Sequence, residues 1–197
     1  AWQGVVRKAT LAGLRVAALI ARKPDERYVL MGHSLGARVI YAGLQEMAKW
    51  STSCVESVYL LGGAVDRTDE EGWQLVTKAM LPDGTIYNCH SANDLTLGLY
   101  RNAGLDRGDP IGLRPIVARS RMIRNFDCSR FVGGHSRWKA NLHAVFGRAD
   151  LHRDPRMCLW TDSRRQRCAS KKLRGRPYCS AHVREAREPV TPCAKEK

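Results

Sequence analysis

Three residues whose side chains can act together in nucleophilic catalysis follow one another along the chain: Ser34, Asp94 and His135. Ser34 is the central residue of 32–36, which read GHSLG and match the pattern G-x-S-x-G of a nucleophile elbow. A serine hydroxyl becomes a nucleophile when a histidine accepts its proton and a carboxylate orients that histidine. The chain therefore contains the three chemical groups of an acyl-transfer site.

Other residues offer alternatives for the same roles. Asp66 follows an earlier predicted strand and is a second candidate for the acid. His90 falls inside a predicted strand and is expected to be a packed histidine, whereas His143 is expected on the surface of a helix or at an interface. His33 precedes the nucleophile, and we expect it to point away from the serine and to pack within the elbow. The alternative for Ser34 itself is an unreactive serine in a glycine-rich turn.

The elements that must position these residues alternate between strand and helix. A short apolar run precedes the elbow and a helical pattern follows it, which is the strand–turn–helix context that the motif requires. The predicted elements are an amphipathic helix over 1–23, strands at 28–32, 57–64, 85–91 and 121–127, and helices over 37–47 and 136–146. They predict an α/β fold with part of a doubly wound sheet, of the α/β-hydrolase type, in which the three residues follow successive strand ends.

The first predicted strand lacks a neighbour on one side. Its apolar run at 28–31 is typical of a strand buried on both faces, yet only one helix precedes it. Since an exposed apolar edge promotes association, we expect upstream strands to be missing and an upstream segment or a partner chain to complete the sheet. The backbone N–H of Leu35 is one expected oxyanion donor, and the second normally comes from an upstream loop.

Four blocks of the sequence resemble the α/β-hydrolase family of unknown function typified by the transmembrane and coiled-coil domain-containing protein 4. The blocks are 32–40, 60–64, 88–97 and 132–135, and the resemblance extends over about residues 2–146. It implies an α/β-hydrolase fold with a triad of Ser34, Asp94 and His135. It also implies a lipase-like activity with membrane association, although the sequence contains no apolar run of the roughly 18 residues that a membrane-spanning helix needs.

Composition divides the chain into parts. The formal net charge is +14, and residues 151–197 hold 13 Lys and Arg against 5 Asp and Glu. We predict a hydrolase core over 1–150, a basic module over 154–186 and a disordered tail over 187–197. The seven cysteines form no disulfide framework, and those at 54, 89 and 128 are expected to be buried thiols. Cysteines that are not paired in disulfides indicate a reducing compartment, so we expect a cytoplasmic location. Peripheral association with a membrane is compatible with that location.

The basic module contains a candidate metal site. Cys158, Cys168, Cys179 and His182 have the spacing C-x9-C-x10-C-x2-H, and three cysteines with one histidine are an accepted ligand set for structural zinc. The segment also resembles small Cys3His fingers. Seven Lys and Arg between 164 and 176 surround the ligands and would attract the phosphates of an anionic membrane or of nucleic acid. The alternative is a disordered basic tail.

The sequence thus predicts a serine hydrolase that cleaves an acyl ester, of a lipid or another alcohol, through an acyl-enzyme. Ser34 would attack, His135 would transfer the proton and Asp94 would orient His135. A structural zinc ion would be the one bound cofactor. The alternative function is a catalytically degenerate hydrolase scaffold whose basic zinc module binds nucleic acid or a protein partner.

Overall fold

In the part of the chain that the structure describes, the core is a four-stranded parallel sheet. The computed structural model describes residues 2–102 and 108–149. The strands are β1 (Tyr28–His33), β2 (Val55–Leu61), β3 (Met80–His90) and β4 (Ile123–Asp127). They lie side by side in the order β1-β2-β3-β4, and each neighbouring pair is parallel. Because the carboxyl ends of parallel strands meet at one edge of the sheet, the residues that follow β1, β3 and β4 are brought close together.

Helices connect the strands, as parallel pairing requires. They are α1 (Trp2–Ile20), α2 (Leu35–Lys49), α3 (Glu70–Thr77), α4 (Leu95–Asn102) and α5 (Leu142–Ala149), with short 3-10 helices at His135–Arg137 and Lys139–Asn141. Helix α1 packs against α2, and α2 packs in turn against β1 and α3. The amphipathic pattern predicted for 1–23 therefore forms a helix whose apolar side is used against α2.

Each face of the sheet has its own apolar layer. On one face, Val58, Leu60 and Ile86 are buried with Ile40 of α2 and Trp73 of α3. The opposite face is aromatic: the Tyr59 and Tyr87 rings stack with their centroids 4.9 Å apart, and Phe146 of α5 contacts Tyr59 edge-on at 5.5 Å. Helices against both faces of a parallel sheet confirm the predicted α/β class. The buried thiols are also confirmed, since Cys54, Cys89 and Cys128 are buried and free.

Two predicted elements end differently in the structure. The strand predicted over 57–64 stops at Leu61, because Gly62 has a φ of 51°, a left-handed conformation that leaves the strand. The continuous helix predicted over 136–146 is instead two 3-10 turns followed by α5. These tighter turns bury Trp138, whose indole nitrogen lies 3.4 Å from a carboxylate oxygen of Asp94.

Strand β1 forms one edge of the sheet in the described part of the chain. The apolar run predicts burial on both faces, but Val29 is 59% exposed and Met31 is 50% exposed. Both side chains lie on the face opposite to α2, where none of the described helices covers this end of the sheet. The modules predicted at 154–186 and 187–197 lie outside the described residues.

Candidate active site

Ser34 occupies a strained turn between β1 and α2. Its φ of 55° and ψ of −118° are unusual for a residue with a Cβ atom and cost on the order of 1–3 kcal/mol. Three backbone hydrogen bonds hold the turn. The Ser34 N–H donates to the Leu61 carbonyl at 3.1 Å, and the Ser34 carbonyl accepts from Ala37 at 3.1 Å and from Ala64 at 3.0 Å. The sheet and the helix together therefore fix the elbow that the sequence pattern predicts.

The two glycines of the motif play different parts. A Cβ atom on Gly32 would lie 2.6 Å from the backbone carbonyl group of Gly36, which is closer than real atoms approach. A Cβ atom on Gly36 would meet nothing within 4 Å. Gly32 therefore permits the close contact between the strand end and the first turn of α2, whereas space alone does not require a glycine at position 36.

The structure brings Ser34, His135 and Asp94 together in a hydrogen-bonded chain. The Ser34 Oγ atom lies 2.9 Å from Nε2 of His135, and Nδ1 of His135 lies 2.8 Å from Oδ2 of Asp94. A carboxylate accepts hydrogen bonds only, so Nδ1 carries the proton and Nε2 is free to accept from the serine hydroxyl. The Ser34 side chain makes no capping bond to α2, so its hydroxyl is directed to the histidine instead.

Asp94 is fully buried, and N–H groups satisfy its carboxylate. The backbone N–H of Leu97 donates to Oδ1 at 3.2 Å, while His135 and the Trp138 indole at 3.4 Å donate to Oδ2. A buried carboxylate without such partners would be strongly destabilising. Its position is therefore set by α4, by the histidine loop and by the 3-10 turn that carries the tryptophan.

Polar contacts between the loops after β3 and β4 keep Asp94 and His135 within hydrogen-bonding distance of each other. The Ser91 hydroxyl donates to the Val132 carbonyl at 2.6 Å, and the Asn93 side chain donates to the Ser129 carbonyl at 2.8 Å. The Ser129 hydroxyl accepts from the backbone N–H of Ala92 at 2.9 Å. Sequence reasoning missed these residues and Trp138, because isolated serines, asparagines and tryptophans carry no periodic signal.

The alternative acid, Asp66, forms hydrogen bonds with Thr68. The Oδ1 atom of Asp66 accepts hydrogen bonds from the backbone N–H of Thr68 at 2.9 Å and from its hydroxyl at 2.8 Å. Of the two candidates, Asp94 is the one that bonds His135. Among the other histidines, His143 is exposed and His90 is buried, as expected for a surface and a packed histidine.

His90 is buried without a full set of hydrogen bonds. Its Nδ1 atom has no hydrogen-bond partner in the described part of the chain. Burial lowers the pKa of His90, an effect that the nearby Asp127 carboxylate opposes and Arg67 reinforces. The ring is therefore kept neutral inside the protein.

The prediction for His33 is wrong in part. Its ring does not point away from the site but lies against His135, with the ring centroids 4.7 Å apart. Its Nε2 atom is 3.1 Å from the carbonyl oxygen of His135, which can only accept, so His33 donates. Partial loss of solvent around the ring, followed by the proximity of His135, lowers the pKa of His33. A neutral His33 thus holds the backbone of the histidine loop.

Leu35 is the first residue of α2, directly after the serine. The N–H groups in the first turn of a helix have no partner within that helix, and they lie at the positive end of the helix dipole. The Leu35 N–H is therefore suited to an oxyanion. The Leu35 side chain packs with Ala64, Leu97 and Leu113, and these four residues form an apolar wall beside Ser34.

The predicted zinc ligands Cys158, Cys168, Cys179 and His182 lie outside the described residues, so zinc binding stays a prediction. Within residues 2–102 and 108–149, no group of three or more His, Cys, Asp or Glu side chains is arranged to hold a metal ion. In the same residues, no helix has the length and apolar character to cross a bilayer.

Comparison with known proteins places most of this chain in a recognised group. A family model described as a protein of unknown function (DUF726) matches residues 1–152. The chain is 29% identical over 155 residues to the transmembrane and coiled-coil domain-containing protein STS1 of Oryza sativa subsp. japonica. It is 32% identical over 154 residues to the probable lipase MIL1 of Saccharomyces cerevisiae, and 34% identical over 150 residues to an uncharacterized membrane protein of Caenorhabditis elegans.

These matches cover 77%, 76% and 73% of this chain, respectively. They cover 23%, 14% and 24% of the relatives, so the chain spans a quarter or less of the length of each of these three. No solved structure matches the chain significantly.

Proposed function

Since the chain belongs to the DUF726 family, for which no function is established, we propose a function from its site: it is a serine hydrolase of the α/β-hydrolase type that cleaves acyl esters. One observation carries the proposal. The Ser34 hydroxyl, the His135 imidazole and the Asp94 carboxylate form a chain of hydrogen bonds of 2.9 and 2.8 Å at a strained elbow. Strain is retained at functional sites when the surrounding structure holds it, as three backbone bonds do here.

The proposed reaction has two halves. In the first, Ser34 Oγ attacks the ester carbonyl carbon while its proton passes to Nε2 of His135, and the resulting oxyanion accepts from the Leu35 N–H. The alcohol then leaves with that proton, and an acyl-serine remains. In the second half, a water molecule attacks the acyl carbonyl carbon while its proton passes to Nε2 of His135. The bond between the acyl group and Ser34 Oγ then breaks, so that the carboxylic acid is released and Ser34 Oγ takes the proton from His135. Asp94 keeps the His135 ring in the correct tautomer throughout.

The apolar wall supports an acyl chain as the substrate group. Leu35 is partly exposed next to the serine and packs on the buried Ala64, Leu97 and Leu113, so apolar rather than charged side chains border this position, which favours hydrocarbon. The relative from Saccharomyces cerevisiae is named a probable lipase, which agrees with an ester of a fatty acid. The relatives from Oryza sativa and Caenorhabditis elegans are named as a transmembrane protein and a membrane protein, so we place this activity at a membrane surface, with a cytoplasmic location as part of the same proposal.

The rival function is a hydrolase scaffold without activity, whose basic segment at 154–186 binds a nucleic acid or a protein. An assay for the hydrolysis of soluble short-chain esters such as p-nitrophenyl butyrate distinguishes the hydrolase from the inactive scaffold. We expect turnover by the native chain and its loss in Ser34→Ala. Ser51→Ala is a matched control, because Ser51 is also a non-glycine residue with a φ of 55° but is exposed and lies at the end of α2. Equal rates in Ser34→Ala and Ser51→Ala would favour the scaffold.

The open edge of β1 belongs to the proposal as well. Val29 and Met31 are half exposed beside an unpaired strand edge in the described residues, and an edge of this kind pairs readily with another strand. We propose that an upstream segment or a partner chain pairs with β1 in the working protein. The same added segment would be the source of a second oxyanion donor.

A further inference from the structure

Helix α4 exposes two leucines on one side. Leu95 is 77% exposed and Leu99 is 71% exposed, and they are the two most exposed large apolar side chains in the described residues. They are four residues apart, which places them one turn apart on the same side of the helix. A single exposed leucine needs no explanation, but a pair on one helix side forms a small apolar surface.

This surface borders the proposed active site. Leu95 follows Asp94 directly, and Leu97 on the other side of the helix is buried against Leu35 of the apolar wall. Helix α4 also contacts the 3-10 turn at His135–Arg137. The two leucines therefore lie on the outer side of a helix that directly follows the acid and contacts the turn that begins at His135.

Two arginines flank the same surface. Arg137 is exposed in the 3-10 turn that α4 contacts, and Arg130 is exposed next to Ser129, whose carbonyl binds Asn93 two residues before Leu95. Asp94 is buried, and the exposed acid near these arginines in sequence is Asp127, whose carboxylate accepts from the Ser129 N–H at 2.9 Å and from the Ser129 hydroxyl at 2.5 Å. The rim, defined here as Leu95, Leu99, Arg130 and Arg137, thus combines exposed apolar and basic side chains.

We propose that the rim docks the protein on a surface of anionic lipids. Leucines insert at the boundary between headgroups and acyl chains, and arginines bind the phosphates and carboxylates of the headgroups. The docking itself does not depend on the chemistry at Ser34. The further consequence, that docking presents a lipid ester to the serine, rests on the proposed function.

The binding test uses the full chain with Ser34→Ala, so that no lipid is consumed. Flotation with phosphatidylcholine vesicles, with and without phosphatidylserine, gives the partition coefficient. We expect Leu95→Ser with Leu99→Ser to lower it about tenfold or more on both kinds of vesicle. Each of Arg130→Gln and Arg137→Gln should lower it about fivefold on the vesicles with phosphatidylserine, an effect that about 1 M salt removes.

Two exposed leucines of α1 give the matched control. Leu11→Ser with Leu19→Ser makes the same substitutions at two leucines of a different helix, which are 48% and 60% exposed, and should leave vesicle binding unchanged. Vesicle binding by the rim variant equal to that of the native chain would overturn the proposal and leave the basic module at 154–186 as the candidate for vesicle binding. An equal loss in the α1 variant would also overturn it, since the rim would then have no special part.

An activity measurement separates this proposal from the proposed function. In the chain that retains Ser34, the rim leucine variant should hydrolyse soluble p-nitrophenyl butyrate at the native rate, which shows that it is folded, and should lose about tenfold on esters held in vesicles. If the native chain hydrolyses neither ester but vesicle binding still depends on Leu95 and Leu99, the proposed function fails and the rim stands. If the variant cleaves both esters at the rates of the native chain, the rim proposal is refuted and the proposed hydrolase function stands.

Discussion

The Nε2 atom of His33 lies 3.1 Å from the carbonyl oxygen of His135, and the two rings contact each other at a centroid distance of 4.7 Å. His33 immediately precedes Ser34, and His135 is the residue that accepts from the serine hydroxyl. The strand that precedes Ser34 therefore also anchors the loop that carries His135. This contact couples the positions of the proposed nucleophile and the proposed base through a single neutral side chain.

His33 is accordingly a positioning residue for the proposed reaction. His33→Phe keeps a ring against His135 but removes the donor, and a hydrogen bond of about 1 kcal/mol corresponds to a loss of roughly fivefold. We expect this loss in kcat for a soluble ester, with KM unchanged. His33→Gln, which keeps an N–H donor, should recover part of the rate. A change in KM alone, or no recovery by the glutamine, would show that the contact does not position the base.

His90 should make stability depend on pH. Its pKa is lowered by burial, so between that value and the ordinary value of about 6.5 the unfolded chain binds the proton and the folded chain does not. The contribution of His90 to the free energy of unfolding should therefore be fully present above about pH 6.5 and be lost as the pH falls below that value. Urea unfolding at about pH 7.5 and about pH 5 measures this change. His90→Gln should reduce the dependence, and an equally steep loss in that variant would assign it to other groups.

The exposed face of β1 should cause association when the 197-residue chain is studied alone. In the part of the chain that the structure describes, Val29 and Met31 leave apolar surface beside a strand edge that no other strand pairs with, and such edges pair with other chains. Light scattering after size exclusion should show a mass that rises with protein concentration. Met31→Lys should shift the population to the monomer, because a lysine on an edge opposes strand pairing. A native chain that stays monomeric and stable over the whole concentration range would contradict the proposed completion of the sheet.

The sequence predicts the elements that carry the site better than it predicts how their ends are shaped. Ser34, Asp94 and His135 could be selected because each follows a strong local pattern, an apolar strand or a glycine pair, and parallel strands bring such ends together. The end of β2 could not be read in the same way. Gly62 and Gly63 continue an apolar run, and only the left-handed φ of Gly62 shows where the strand stops.

Sequence patterns do not predict polar contacts between residues that are far apart in the chain. The direction of the His33 side chain depends on a carbonyl group 102 positions away, and the 3-10 turns near His135 follow from burying Trp138 beside Asp94. The exposure of Val29 and Met31 likewise depends on which elements cover the sheet, which an apolar run does not specify. Periodicity reports which face of an element is apolar, whereas these features depend on its neighbours.

Zinc binding by Cys158, Cys168, Cys179 and His182 remains a prediction from spacing. Freshly purified protein should contain one equivalent of zinc per chain, because structural zinc in finger peptides contributes on the order of 10 kcal/mol to folding. Cys168→Ser should release the metal, whereas Cys193→Ser, outside the predicted ligand set, should retain it. Less than about half an equivalent in the native chain, without chelator, would indicate a basic tail with no metal.

The reactivity of Ser34 toward a fluorophosphonate probe tests the central claim most directly, because such probes label a serine quickly only when a base activates it. Intact mass and peptide mapping should show one adduct per chain, on Ser34. The adduct should be absent in Ser34→Ala, retained in Ser51→Ala, and formed on the order of 10³-fold more slowly in Asp94→Asn, since an asparagine favours the wrong tautomer of His135. A native chain that acquires no adduct, or a Ser34→Ala chain labelled as fast as the native one, would contradict the assignment of a serine hydrolase.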